Sequence, residues 1–367
     1  MKLNSWKVKA FGLVAPLLLA GGALASDIVI SWQETGHVYG NGYLPKVASD
    51  GFSSVASIAQ TSTGFASLEY WTGFYSGVGV TWGSTVHVPT QIIHAPSIAL
   101  AYGTNQDVDN AIEVHQGGQD SGGALWYQLG KGSAPLGGTI SWFTAKQYDI
   151  GYNPTVAADL NGPSTKSTAI VEVHQAAEGE SALWYHVGKL TYGSTPTITW
   201  GPSHEINGGL NHGYAPTVSV ANNEAILVAQ GSGGSLWYAI GEVNTSTDEI
   251  TWTNPTTYAS GYNPTVSVYG DGLTNFFGFP SGRVLVEAHQ QDAGTGPLLY
   301  RTGVVNGATP TSITWTPNTS TDYSKGCYPS VALAFTELGF NLSVTEIHSE
   351  KCGGAETLVA SFGLLEP

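Results

Sequence analysis

Short apolar runs recur along the chain, each bounded by Gly, Ser, Asn or Pro, and residues 154–201 show them best. Pro154–Asp159 is predicted as a first strand and Ala169–Gln175 (A-I-V-E-V-H-Q) as a second. Ala182–Leu190 (A-L-W-Y-H-V-G-K-L) is the third and Thr197–Gly201 (T-I-T-W-G) the fourth. All four are rich in β-branched and aromatic residues, which suit a pleated, half-buried surface. Pro154 fits the first position of a strand, where a ladder tolerates a missing N–H.

This order of runs repeats. Its marker is G-Y-N-P-T-V at Gly151–Val156 and again at Gly261–Val266. Weaker copies are Gly213-Tyr214-Ala215-Pro216, Cys327-Tyr328-Pro329, Gly42-Tyr43-Leu44-Pro45 and His94-Ala95-Pro96. The six prolines stand 51, 58, 62, 48 and 65 residues apart, the length of a four-stranded unit with loop insertions. Such a unit cannot bury both faces alone. The expectation is an all-β fold, a six-bladed β-propeller with four antiparallel strands per blade, filling residues 26–367 as one domain. Two smaller sandwiches or an open array are the alternatives.

Fourth strands end in Trp82, Trp142, Trp200, Trp252 and Trp315, five for six repeats. The missing copy is Ile30-Ser31-Trp32. Ile28–Gln33 is therefore expected to pair with Thr357–Gly363 as the N-terminal strand that closes the last blade, removing two open sheet edges.

Residues 1–25 read as a signal peptide: Lys2, Lys7 and Lys9, an apolar stretch from Phe11 to Leu24, and the A-x-A site Ala23-Leu24-Ala25. The expected product is secreted, extracellular or periplasmic, without membrane insertion. Its removal takes the net charge from −15 to −18, since three Lys and no acids leave with it. So acidic a chain lacks the Lys and Arg clusters that nucleic acid or an anionic membrane requires. Cys327 precedes the first strand of repeat six and Cys352 follows its second strand. Antiparallel pairing brings both to one end of a hairpin, where a disulfide is the default in an oxidising compartment.

Propeller topology places the G-Y-N-P segments and the ends of the V-H-Q runs on one face. Four E-x-H pairs lead there: Glu113/His115, Glu172/His174, Glu287/His289 and Glu346/His348. Residues i and i+2 of a strand share a face. Each pair is thus either a polar pocket between blades or a buried, internally hydrogen-bonded network. Repeats one and four carry Ser57/Ala59 and Leu227/Ala229 instead. Trp126, Trp184 and Trp237 in the L-W-Y runs, with Tyr152, Tyr214, Tyr262 and Tyr328, complete the candidate ligand-binding set. Aromatic planes beside hydrogen-bonding groups hold sugars.

No cofactor is expected. One E-x-H pair per blade does not converge into a metal site. Calcium at Asp107–Asp109 lacks a D-x-D-x-D-G loop to support it. No G-x-S-x-G, H-E-x-x-H or P-loop occurs. Sialidase-type propellers carry S-x-D-x-G-x-x-W boxes, and the nearest string, Ser246–Trp252, lacks the Gly and has the wrong spacing.

Together, G-Y-N-P-T-V, E-V-H-Q, L-W-Y-x-V-G and I-T-W-G resemble the tandem repeats of secreted bacterial proteins, and the organisation resembles propeller lectins. The resemblance implies a multivalent glycan-binding protein with sites between blades and cell-surface polysaccharide as partner. A protein-interaction platform in the envelope is an alternative. So is a glycoside hydrolase or polysaccharide lyase at the central channel, using the repeat-breaking acids Asp159, Asp271 or Glu205.

Overall fold

The computed structural model describes residues 28–76, 79–102, 108–118, 123–133, 136–159, 167–206, 212–270, 283–306, 311–336, 341–353 and 356–366. The expected signal peptide, Asp107 and Asp271 lie outside them.

The chain is all-β, and every strand pairing is antiparallel. Repeat three shows the local logic. Tyr152–Ala158 pairs with Ser167–Gln175, which pairs with Ser181–Thr191. Thr197–Trp200 then pairs with the far half of that third strand and His204–Glu205 with its near half. The fourth strand thus comes in two pieces, as it also does in Glu249–Trp252 with Thr256–Ser260. Sequence reading recognised only the first piece.

The strands do not divide into six separate sheets. Val29–Ser49, Val86–Tyr102 and Ile313–Thr336 each run unbroken from the outer edge of one repeat into the inner strand of the next. The strands therefore merge into one sheet of 15 and one of 10. The sheets part at Gly151 and Gly261, the glycines of the two full G-Y-N-P-T-V copies.

One register recurs wherever a third strand meets a Trp-ending strand. Gly73, Gly130, Gly188, Gly241 and Gly303 stand opposite Trp82, Trp142, Trp200, Trp252 and Trp315. A side chain on Gly188 would meet the Trp200 ring at 2.7 Å. Gly363 stands opposite Trp32 in the same way. The N-terminal strand thus pairs with the C-terminal one in the register of the in-sequence copies.

Buried apolar residues cluster at every junction of consecutive repeats: one with two, two with three, three with four, four with five and five with six. A further cluster, including Val47, Val55, Ala332 and Ile347, joins repeat six to repeat one. Inner strands are also stitched by hydroxyls. Ser97, Ser219 and Ser267 accept from the amides of Val156, Val268 and Leu333 in the following repeat. Ser330 accepts from Val47, at 3.0 Å, across the six-to-one junction. Inner-strand residues of all six repeats, from Val47 to Leu333, line one narrow cavity. Cys327 and Cys352 form the expected disulfide, with Cα atoms 5.4 Å apart.

Candidate functional site

The six X-Pro steps share one backbone shape. Leu44, Ala95, Asn153, Ala215, Asn263 and Tyr328 all have φ between 42° and 55°. Each sits in a bulge where the inner strand slips register against its partner, as between Tyr152 and Thr155. The left-handed region costs an ordinary residue about 1–2 kcal/mol, so repetition at six sites implies compensation. Part of it comes from the glutamine that ends the second strand of the preceding repeat. Gln60, Gln230 and Gln290 accept through Oε1 from the amides of Ala95, Asn263 and Tyr328. The Nε2 atoms of Gln60, Gln175 and Gln290 donate to carbonyls of Gly64, Gly179 and Gly294 in their own loops. Gln60, Gln230 and Gln290 are thus clasps between repeats.

These X-Pro steps surround a funnel of about 240 Å³ at one end of the inner strands, joined by Lys46, Thr155 and Tyr214. Tyr328 donates to or accepts from Tyr43, Oη to Oη 3.1 Å, and Tyr214 donates to Glu180. Lys46 breaks the repeat, since Ser97, Thr155, Thr217, Thr265 and Ser330 follow the other prolines. Burial lowers its amine to about 8. No ion pair or hydrogen bond holds Lys46 among the described residues, and no carboxylate lines the funnel among them.

The E-x-H pairs lie elsewhere, buried in the junctions. The exposure of Glu113, Glu172, Glu287 and Glu346 is 0 %, and that of their histidines 0–3 %. Each His Nδ1 lies 2.9–3.1 Å from its own Glu. Tyr258, from the outer strand of repeat four, donates to Glu287 at 2.9 Å. Tyr148 and Tyr323 stand beside Glu172 and Glu346, and burial with the carboxylate charge pushes all three phenols well up. Where Ser57 replaces Glu, Tyr39 bonds the serine hydroxyl instead. Those tyrosines stack on the fourth-strand tryptophans: Tyr39 on Trp82, Tyr148 on Trp200, Tyr258 on Trp315 and Tyr323 on Trp32.

The histidines also explain the motif glycines. A Cβ on Gly151, Gly261 or Gly326 would meet the ring of His174, His289 or His348 at 2.4–2.5 Å. In repeat four, Ala229 stands at the His position, and the buried Trp237 fills in beside Gly213. In repeat one, Ala59 leaves room for Trp71. Trp126 and Trp184 are half-buried opposite His115 and His174. Tyr152 and Tyr262 are half-buried against Gly123 and Gly234 of the preceding loops. Of the fifteen candidate ligand residues, only Tyr214 and Tyr328 reach the funnel. Glu113, Glu287 and Glu346 are fully buried and hydrogen-bonded to their own histidines, the setting of an internal polar network.

Sequence reading passed over Asp149 and His186, which gather around His174. His186 Nε2 lies 2.7 Å and His174 Nε2 3.7 Å from Asp149 Oδ2. Burial raises the Asp149 carboxyl, but the bond from His186, with Ile150 N–H and Ser203, outweighs it and holds the group below its ordinary value. The other repeat-breaking acids have different neighbours. Asp159 accepts from the amides of Asn222 and Asn223, and Glu205 is exposed on an outer strand.

No protein-family model matches the sequence, and no curated protein matches it. Solved structures do. The NanB sialidase from Streptococcus pneumoniae superimposes with a TM-score of 0.54 at 10% identity, covering 96% of this chain and 70% of that one. The intramolecular trans-sialidase from Ruminococcus gnavus gives 0.52 at 9% identity, covering 94% and 98%. The Trypanosoma rangeli sialidase gives 0.50 at 10% identity over 93% of this chain, which spans 58% of that enzyme's length. At such identities the likeness is one of fold alone, the β-propeller fold of the sialidases.

Proposed function

We propose that the chain is a secreted glycan-binding protein, a six-bladed β-propeller closed by Ile28–Gln33, which takes an acidic saccharide in the funnel. Closure is supported by the Trp32–Gly363 register and the Ser330–Val47 bond. A single funnel replaces the several inter-blade sites that the repeats suggested.

Lys46 carries this reading. Among the described residues it is the one cation lining the funnel and no acid lines the funnel beside it, and it breaks the repeat. A carboxylate on a sugar supplies the missing partner through a charge-assisted hydrogen bond. Tyr214 and the amides of Asn153 and Asn263 suit hydroxyls, and the prolines give an apolar floor. Most glycoside hydrolases place two carboxylates around the bond, and sialidases use a tyrosine nucleophile in place of one. The funnel supplies none among the described residues, which favours binding over cleavage. Among the fold neighbours, the Ruminococcus gnavus enzyme was solved with oseltamivir carboxylate.

The test is a glycan array followed by calorimetry on wild type and Lys46→Thr, the residue that repeats three to five carry there. Acidic saccharides are expected to bind, at least about ten-fold more weakly to the variant, since a lost charged contact is worth about 1.5–3 kcal/mol. Absence of any saccharide ligand, or binding indifferent to Lys46, overturns the proposal.

A further inference from the structure

Two departures from the repeat meet at one junction. Two places before the motif glycine stands Asp149, where Gly40, Ala259 and Ser324 precede Gly42, Gly261 and Gly326. Two places before the third-strand glycine stands His186, where the other repeats have Trp71, Gln128, Ala239, Arg301 and Ser361. They come from different repeats, yet both converge on His174, with all three ligand-type atoms within 4.8 Å of one another.

We propose that Asp149 Oδ2, His174 Nε2 and His186 Nε2 form a binding site for a divalent first-row transition ion, with zinc as its probe. The hydrogen bonds behind the rings point there. His174 Nδ1 lies 3.1 Å from Glu172, and His186 Nδ1 lies 3.0 Å from the Gly201 carbonyl. With its Nδ1–H held behind it, each ring offers Nε2 to the ion, which on binding displaces the proton that bonds His186 to Asp149. A carboxylate or carbonyl behind each ring is the arrangement that orients metal-binding histidines. Both Nε2 atoms face the same carboxylate oxygen. At other junctions the equivalent atom faces Ser324, from His348 at 3.4 Å, or has no partner among the described residues, as in His289.

The rings are also held in place. His186 packs edge-on against Tyr148 and Trp200, and lies 6.0 Å from His174, nearly parallel to it. Zinc bonds of about 2.0–2.2 Å set tetrahedral ligand atoms roughly 3.4 Å apart. The 2.7 and 3.7 Å to Asp149 bracket that spacing, and the two Nε2 atoms lie within 4.8 Å of each other. The Asp149 side chain is 27% exposed while both histidines are buried. An ion therefore enters from the Asp149 side, and solvent or a ligand completes its shell there. Two imidazoles and one carboxylate suit zinc and its first-row neighbours better than calcium. Once bound, the ion would tie the second repeat to the third.

The competing account is a hydrogen-bonded triad that binds nothing. Two variants separate them because the protein already contains each solution. His186→Gln copies Gln128, whose Nε2 donates to the Phe143 carbonyl as His186 does to Gly201. Asp149→Ser copies Ser324. Chelator-stripped full chain is titrated with zinc by calorimetry and with cobalt by visible absorption. Wild type is expected to take one ion per chain, to show a cobalt spectrum of mixed nitrogen and oxygen ligands, and to melt at a higher temperature when loaded. Each variant is expected to fold as wild type and bind at least about ten-fold more weakly. Wild type without stoichiometric uptake or a cobalt band, or folded variants that bind as tightly, overturns the proposal.

Discussion

Trp32 and Gly363 face each other across the pairing of the first strand with the last, and a side chain on Gly363 would strike Ile30 at 2.5 Å and Trp32 at 3.1 Å. Gly130, Gly188, Gly241 and Gly303 meet their own Ile or Trp at 2.3–2.9 Å. The chain terminus is therefore packed as tightly as the internal copies. Gly363→Val is expected to destabilise the protein by about 1–3 kcal/mol through overpacking. Gly138→Ala, with nothing within 4 Å of the new carbon, should stay within about 0.5 kcal/mol of wild type. Urea denaturation of the two variants checks the claim, and equal midpoints would refute it.

The glutamine clasp makes a second prediction. Gln290 accepts from the Tyr328 amide at 2.8 Å and from Asn263 Nδ2 at 2.6 Å, while its own amide reaches Asp292 and Gly294. Gln290→Leu strands these partners in a buried setting, at a cost of about 1–3 kcal/mol. Hydrogen exchange supplies the local readout. The Tyr328 amide should lose protection more than amides of the distant Tyr152–Ala158 strand.

Much of this was legible in the sequence, and the reasons are specific. The five V/I-T/S-W runs and Ile30-Ser31-Trp32 are short, strongly β-prone and always opposite a glycine, so counting them found the partner of the last strand. The Cys327–Cys352 hairpin needed only strand direction. Tyr148, Tyr258 and Tyr323 were not found, because each is one aromatic residue in a polar stretch at a variable distance from its Trp. Without them, the E-x-H pairs pointed into a junction of unknown content. Asp149 and His186 were invisible for a related reason: a repeat comparison reads them as noise, and only the fold brings two unrelated departures together. Lys46 was passed over, although it departs from the Ser or Thr that follows the other prolines, and its solitude required the funnel.

Asp50 gives the pH dependence. Burial raises its carboxyl to about 6, although the amides of Phe52 and Ser54 donate to it. An unfolded Asp titrates near about 3.9, so between these values the folded state holds more protons than the unfolded one. Stability conferred by the neutral acid is present at low pH and is lost as pH rises from about 4 to about 6, by about 3 kcal/mol. Glu224, raised to about 7 by burial against the opposing pull of Arg283, slopes the same way. Asp50→Asn should flatten the wild-type decline across pH 4–7 by about that amount. Parallel curves for the two proteins would show that the carboxyl titrates normally.

The ring of left-handed residues yields a prediction of opposite sign. Leu44 has φ 51°, and its apolar side chain has no donor or acceptor for a local hydrogen bond to offset the cost. Asn153 and Asn263 occupy the same position in their repeats and donate through Nδ2 to Gln175 and Gln290. Asn tolerates this backbone region better than Leu. Leu44→Asn places an amide where Gln60, the matching glutamine, can accept it, and should stabilise the protein by about 0.5–1 kcal/mol. Asn263→Leu removes the same bond and should cost at least as much. The two changes act on equivalent sites in opposite directions, so a shared loss of stability on thermal denaturation would mean that the side chain at this position is not what sets the energy of the bulge.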